Sequence, residues 1–530
     1  MAANLSLSTP EERLQAWVAE FISPVHATVW PDETATEVVT PQGTLRGMDH
    51  EGVRIFRGIR YAEPPTGERR FAPPVKVTPW QGVKDATRFG PMSLQAGEGD
   101  FSEDCLSLNV WTPAGDADEA LPVFVFIHGG GYVLGAGSQP LYEGTGLARK
   151  GMVVVTINYR LGTLGFLPAS SALSEHGTTG NWGILDMIAA LQWVQDNIRA
   201  FGGDPDRVTV GGESAGSYAV STLIVSPLTR GLFHQAIMQS GSLPTATAVA
   251  PASAASLTQA RQLSATFFSQ FGLADDAQGL ATLRQLPAEE IMAVTPQLDQ
   301  QLYAPQVAGF WPVPDGHVYQ PEPVSQIRGG NINQVTLLAG FNTDEGSLFV
   351  NPDADTGDYR ALIHSAFGAT AEDVLARFPI DENHTVSERM NEIITLGMLR
   401  SGHYQYANAL SQQNNVYLYH FDFVDPALNS TGLGVIHGSE IKYIFHNFME
   451  LVNQDTEARD VSVLVQTAWV NFIKNGNPNT GNELSQQVIW QKYSEKSPEE
   501  FHLCAAPSMQ KVHRLEDVLF INEKLIPQRQ

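Results

Sequence analysis

Gly212-Glu213-Ser214-Ala215-Gly216 sets one serine between two glycines in the pattern G-x-S-x-G. The chemistry this pattern serves is nucleophilic attack. A serine on a sharp strand-to-helix turn exposes its hydroxyl, and side chains at the glycine positions would collide with neighbouring elements. A helix starting near Ser217 would point its N-terminus at the serine and favour negative charge developing there. In a chain with 47 glycines the pentapeptide recurs easily by chance, so its setting carries the meaning: it follows the strand-like Arg207–Val210 (RVTV) and precedes a helix-compatible stretch. A second constellation, His128-Gly129-Gly130-Gly131, follows another strand-like run. Three glycines leave backbone N–H groups unshielded, able to converge on the oxyanion of a tetrahedral intermediate, and Ala215 N–H is the donor expected to complete that hole. His128 precedes the serine, whereas the partners of such a nucleophile follow it in the order serine, acid, histidine. We therefore read His128 as a structural residue holding the glycine loop.

Two stretches after the serine could supply the acid and the base. Leu337–Ser347 (LLAGFNTDEGS) ends an apolar strand in Asp344 and Glu345, and the residues alone leave the choice between them open. Gly434–Glu440 (GVIHGSE) carries His437 among small residues that permit an inward-reaching loop. His437 stands ahead of His420 and His446 only on that loop context; the latter two, in apolar segments, read as packed residues.

These groups need a scaffold, and the sequence describes an α/β one. Leu121–Ile127 (LPVFVFI) and Met152–Asn158 (MVVVTIN) are continuous apolar, β-branched runs suited to strands buried on both faces of a largely parallel sheet. Apolar residues at 184, 188, 191, 194 and 198 form one helical stripe, ended by Phe201–Asp206 (FGGDPD) before a strand at Arg207–Val210. Val335–Ala339 and Val416–Phe423 read as further strands, Glu11–Ile22 as a short amphipathic helix. We expect residues 1–37 to be an extension and 38–530 one domain, with helical insertions around 244–330 and 350–415.

Composition excludes several function classes. The 530 residues carry 32 Lys+Arg against 57 Asp+Glu, a net charge of −25 that repels phosphate backbones and anionic headgroups, so no nucleic acid partner is expected. No apolar run approaches the roughly 18 residues of a membrane span. Two cysteines, Cys105 and Cys504, make no disulfide framework, and no Cys/His spacing suggests zinc. Met1–Pro10 has neither a basic nor an apolar region, so cytoplasmic residence is expected, a secreted form with a trimmed signal being the alternative. The sequons at Asn4, Asn383 and Asn429 then read as chance matches.

Taken together, the motifs resemble those of the type B carboxylesterases, the α/β-hydrolase group that includes bacterial p-nitrobenzyl-type esterases, animal carboxylesterases and cholinesterases. The resemblance rests on Phe56–Pro74 (FRGIRYAEPPTGERRFAPP), Ser102–Asn109 (SEDCLSLN), HGGGY, Asn158–Phe166 (NYRLGTLGF), the whole of Gly180–Gly216, TDEGS, GVIHGSE and Asn471–Asn479 (NFIKNGNPN). It implies a large, mostly parallel sheet flanked by helices. It implies a triad of Ser214, Glu345 and His437, oxyanion donors at Gly130, Gly131 and Ala215, and an acidic Glu213 beside the site. The implied activity is hydrolysis of small-molecule carboxylic esters through an acyl-enzyme, by a monomer or homodimer needing no metal or organic cofactor. A lipase acting on glycerides and a non-catalytic binding module are the alternatives. Three departures qualify the likeness. Cys105 has no upstream cysteine partner of the kind secreted relatives pair with it. No tryptophan for a quaternary ammonium stands in Pro91–Asp104, which argues against a cholinesterase. Arg60 replaces the usual proline, making a cluster with Arg57, Arg69 and Arg70; we read these as salt-bridged charges, with anchoring of an anionic substrate as the alternative.

Overall fold

A computed structural model of the chain describes residues 34–113, 117–243, 257–295, 310–351, 353–426, 432–447, 455–479 and 488–525. The expected helix at Glu11–Ile22 and the sequons at Asn4 and Asn429 lie outside these residues. Asn383 is exposed.

Every described strand joins one sheet. Its first edge is antiparallel: β1 (Thr34–Thr40), β2 (Gly43–His50), β3 (Val53–Arg60) and β5 (Ser107–Pro113), with the short β4 (Val83–Asp85) beside β2. The centre is parallel, running β7 (Val153–Ile157), β6 (Leu121–Ile127), β8 (Gly203–Glu213), β9 (Gln235–Gln239), β10 (Thr336–Asn342), β11 (Val416–Phe421) and β12 (Glu499–Leu503). The hairpin strand β13 (Ser508–Lys511) closes the far edge. The continuous apolar runs sit where both faces are covered. Val123, Val125 and Ile127 of β6 enter one core cluster while Phe124 and Phe126 enter another, all of them buried. Alternate side chains of a strand point to opposite faces, so a doubly covered strand has no polar position to spare.

The order β7-β6-β8 decides where a ligand goes. The chain runs from β6 out to β7, then returns past β6 to lay β8 on its other side. Connections leaving in opposite directions open a crevice at the carboxyl ends of these strands. The return passes through α1 (Trp182–Asn197), the expected helix, which ends in a short 3₁₀ turn and a left-handed Gly202 at φ 81°. Strand β8 starts at Gly203, four residues before the expected Arg207, because it bulges: Leu121 pairs with Gly203 and Val123 with Val208, so the intervening residues, Pro205 among them, stand outside the ladder. Helix α2 (Ala215–Val225) follows β8 directly, buried throughout. Helices also occupy Leu257–Ser269, Ala277–Gln285, Thr356–Phe367, Val386–Ile394 and Ser401–Leu410.

Candidate active site

Ser214 lies at the turn between β8 and α2 with φ 56° and ψ −125°, a conformation that costs a non-glycine residue about 1–3 kcal/mol. Its neighbours impose that geometry. Ser214 N–H donates to Gln239 O on β9 at 2.9 Å, and its carbonyl accepts from Tyr218 N–H at 3.0 Å inside α2. The flanking glycines are steric necessities. A Cβ on Gly212 would fall 2.5 Å from Gly216 backbone atoms, and one on Gly216 only 2.0 Å from Ile127 O on β6. Strand, turn and helix therefore meet closer than side chains allow. The helix begins at Ala215 rather than near Ser217, so the serine itself occupies its N-cap and faces the positive end of the dipole.

The glycine loop after β6 runs against this turn. A Cβ on Gly129 would lie 3.0 Å from Ser214 Cβ and 2.8 Å from Glu213 Oε2. Gly130 and Gly131 hold φ of 102° and 61°, a left-handed path that glycine follows without strain. His128 is buried and serves its own loop: its Nδ1 is 2.8 Å from Gly129 O, and its ring stacks on Tyr159 at 4.4 Å. Burial holds its pKa down to about 4, so it stays neutral.

At the end of β10, Asp344 and Glu345 divide between two tasks. Glu345 is fully buried, with Oε2 2.6 Å from His437 Nδ1 and Oε1 accepting from Asn342 N–H at 2.6 Å. Asp344 accepts from Val435 N–H at 3.0 Å and from Asn391 Nδ2 at 3.3 Å, so it tethers the segment that leads to His437. The alternatives to His437 are placed elsewhere. His420 is packed, stacked on Phe341 at 4.5 Å. His446 is not a packed residue as expected. It ends the short helix Ile441–Phe445 at φ 60°, exposed, with Nδ1 2.9 Å from Ser462 Oγ; a left-handed helix terminus turns its side chain out of the apolar segment.

The electrostatics concentrate on His437. Its Nε2 lies 3.2 Å from Glu213 Oε1, so a carboxylate faces each ring nitrogen, and all three side chains are fully buried. Burial alone would disfavour the imidazolium, but Glu213 and Glu345 outweigh it and raise the His437 pKa. Burial and the nearby Glu440 and Glu345 push the Glu213 carboxyl upward, against the pull of His437. Phe349 meets the imidazole edge-on at 5.2 Å. Sequence reasoning overlooked Glu440, although it stands three residues after His437 in GVIHGSE. This buried carboxylate accepts from Gln239 Nε2 at 3.0 Å and Asn342 Nδ2 at 2.7 Å, binding together the strand ends that hold Ser214 and Glu345.

The matches to known proteins concern the family and the fold. Residues 34–521 match the carboxylesterase family. The chain is 36% identical over 490 residues to the para-nitrobenzyl esterase of Bacillus subtilis (strain 168), covering 87% of this chain and 93% of that protein. The chain belongs to the carboxylesterase family. It is 34% identical over 468 residues to the fumonisin B1 esterase of Sphingopyxis macrogoltabida, covering 84% and 83%. A solved PNB esterase superposes with a TM-score of 0.79 at 34% identity, covering 93% of this chain and all of that one. A carboxylesterase of Geobacillus stearothermophilus gives 0.79 at 32% identity, covering 92% and 99%. The protein is thus a carboxylic ester hydrolase of α/β-hydrolase fold, and no described helix is long and apolar enough to cross a membrane.

The arginine cluster of this carboxylesterase is engaged within the fold. Arg60 pairs with Asp104. Arg70 holds Glu103 at 2.5 and 2.6 Å and caps the carbonyls of Arg284 and Leu286. The Arg57 guanidinium lies 4.6 Å from the centre of the Phe89 ring, and Arg69 reaches Pro64 O.

Proposed function

We propose that this esterase works by two-step acyl transfer with Ser214 as nucleophile, His437 as base and Glu345 as the orienting acid. The observation that carries the reading is the buried 2.6 Å pair of Glu345 and His437 beside the strained Ser214 turn. His437 takes the hydroxyl proton as Ser214 Oγ attacks the ester carbonyl, and Glu345 stabilises the imidazolium. The N–H groups of Gly130, Gly131 and Ala215 receive the oxyanion; losing one such donor typically costs about 10²–10³ in rate. Collapse of the intermediate breaks the bond to the alcohol, which leaves with the proton from His437. Water, deprotonated by His437, then hydrolyses the acyl-Ser214 ester and regenerates the enzyme.

The substrates are small-molecule carboxylic esters; against a required negative charge stands the pairing of Arg60 with Asp104 and of Arg70 with Glu103. Residence in the reducing cytoplasm belongs to the same reading; what supports it is that Cys105 and Cys504 are free thiols. The test is hydrolysis of p-nitrophenyl butyrate. Ser214→Ala should lose roughly 10⁴–10⁶ of the rate and all labelling by an organophosphonate that modifies the wild type once per chain. An unchanged rate in Ser214→Ala would remove the mechanism.

A further inference from the structure

Strands β11 and β12 are parallel neighbours with His420 directly opposite His502. Side chains two residues apart share a face, so Asp422 stands beyond His420 and Glu500 before His502 in the same column. The result is a compact group of nitrogen and oxygen donors that the esterase mechanism does not use. One donor atom from each of His420, Asp422 and His502 lies within 4.8 Å of the other two. His502 Nε2 is 3.0 Å from Asp422 Oδ2. Thr343 Oγ1 bridges the other side, 2.8 Å from His420 Nε2 and 2.6 Å from Asp422 Oδ1. Zinc bonds of about 2.0–2.1 Å in a tetrahedron put ligand atoms roughly 3.3 Å apart; His502 and Asp422 already stand near that spacing, and His420 within 4.8 Å of both would close in on the ion.

We propose that His420, Asp422 and His502 form a binding site for a divalent transition metal of the zinc class, with water as the fourth ligand. Two imidazoles and one carboxylate are the donor set such ions take. The surroundings supply the second sphere. Glu500 Oε1 lies 3.7 Å from His420 Nδ1, so a carboxylate stands on the Nδ1 side of the ring and leaves Nε2 as the nitrogen that faces Asp422 and Thr343. The Gln510 amide nitrogen lies 3.0 Å from His502 Nδ1 and donates to it, so without metal the ring proton sits on Nε2 toward Asp422, and a metal bound at Nε2 would take that proton's place. The nearby Arg400 charge is partnered by Glu500 at 3.5 Å. Asp422 gives the site an opening, its side chain being 39% exposed. The metal would fasten β11 to β12 next to Thr343, the residue from which the chain turns toward Glu345. The role is structural, and it stands whether or not the catalytic assignment does.

The full chain, stripped with EDTA and dialysed, is titrated with zinc chloride by calorimetry and with Co(II) by visible absorption. The expected result is one zinc per chain and the d–d bands of tetrahedral cobalt. His502→Ala and Asp422→Asn should each weaken binding at least about tenfold. Circular dichroism and residual ester hydrolysis confirm folding, and the exposed Asp422 position ensures that one variant remains informative. His384→Ala, at an exposed His384–Asp381 pair elsewhere, should bind as the wild type does. No zinc uptake by the wild type, equal uptake by both cluster variants, or uptake lost with His384 overturns the proposal.

Discussion

His437 has a carboxylate against each ring nitrogen, and that fixes how the enzyme responds to pH. Only the neutral imidazole can take the serine proton. Stabilising the imidazolium raises its pKa, so kcat/KM should rise with pH through a value above the ordinary imidazole figure of about 6.5. Glu213→Gln removes one negative charge from beside Nε2 and should move that acid limb to lower pH by about 1 unit or more. A limb that stays in place would show that Glu213 does not govern the proton on His437. The acid itself was ambiguous in the sequence, because Asp344 and Glu345 are adjacent carboxylates at one strand end. The two are separated by direction: Glu345 turns inward to the imidazole, and Asp344 turns to the backbone at Val435.

At the scale of elements, the site depends on backbones that approach too closely for side chains. Gly216→Ala would set a methyl group 2.0 Å from Ile127 O and force β6 away from α2. Overpacking of this kind typically costs about 1–3 kcal/mol, and here the displaced strand also carries the glycine loop. The variant should therefore lose more esterase activity than its drop in urea midpoint explains; intact activity would contradict the close-approach argument. A second element-level device anchors α1. Arg160, just past β7, grips Asp186 on that helix at 2.7 and 2.8 Å, both side chains being buried. Breaking such a pair on one side leaves a buried charge and costs roughly 3–5 kcal/mol. Asp186→Asn should lower the urea midpoint accordingly, whereas a shift no larger than that of a surface substitution would mean that the pair is dispensable. The strands and α1 were legible because burial on two faces or one stripe leaves a repeating apolar pattern. The start of β8 was not, since a local register shift, invisible in one strand's sequence, accommodates Pro205.

Across the whole molecule, the acidic composition and the buried histidines act on stability in opposite directions. His128 and His403 are held by burial at about 4, below their unfolded value of about 6.5. Between those values the unfolded chain binds more protons than the folded one, so these groups make stability fall as pH drops from about 6.5 toward 4. Acidification also relieves the self-repulsion of a chain at −25, which works the other way. High salt screens that repulsion, the Debye length being about 3 Å at 1 M. Under such conditions the urea midpoint should fall between pH 7 and 5, and His403→Gln should flatten the dependence. Glu213, raised by burial, works against this slope in wild type and variant alike, so a profile as steep in His403→Gln as in the wild type would refute the neutral burial of His403.

The parts whose chemistry is local are legible in the order of residues alone. The elbow and glycine loop are contiguous motifs, and the doubly buried strands repeat with a period that burial dictates. The resemblance carried by many scattered motifs then supplied the family. What depends on residues far apart in the chain emerges from the assembled sheet. It put a carboxylate on each side of His437, although Glu213 and Glu345 are separated by more than a hundred residues, and it paired off Arg60 and Arg70. It also brought His420 opposite His502, a donor pair that no short metal-binding spacing could reveal. The physical reason is the same throughout: a parallel sheet aligns strand ends from distant segments, and close range then sets both electrostatics and coordination.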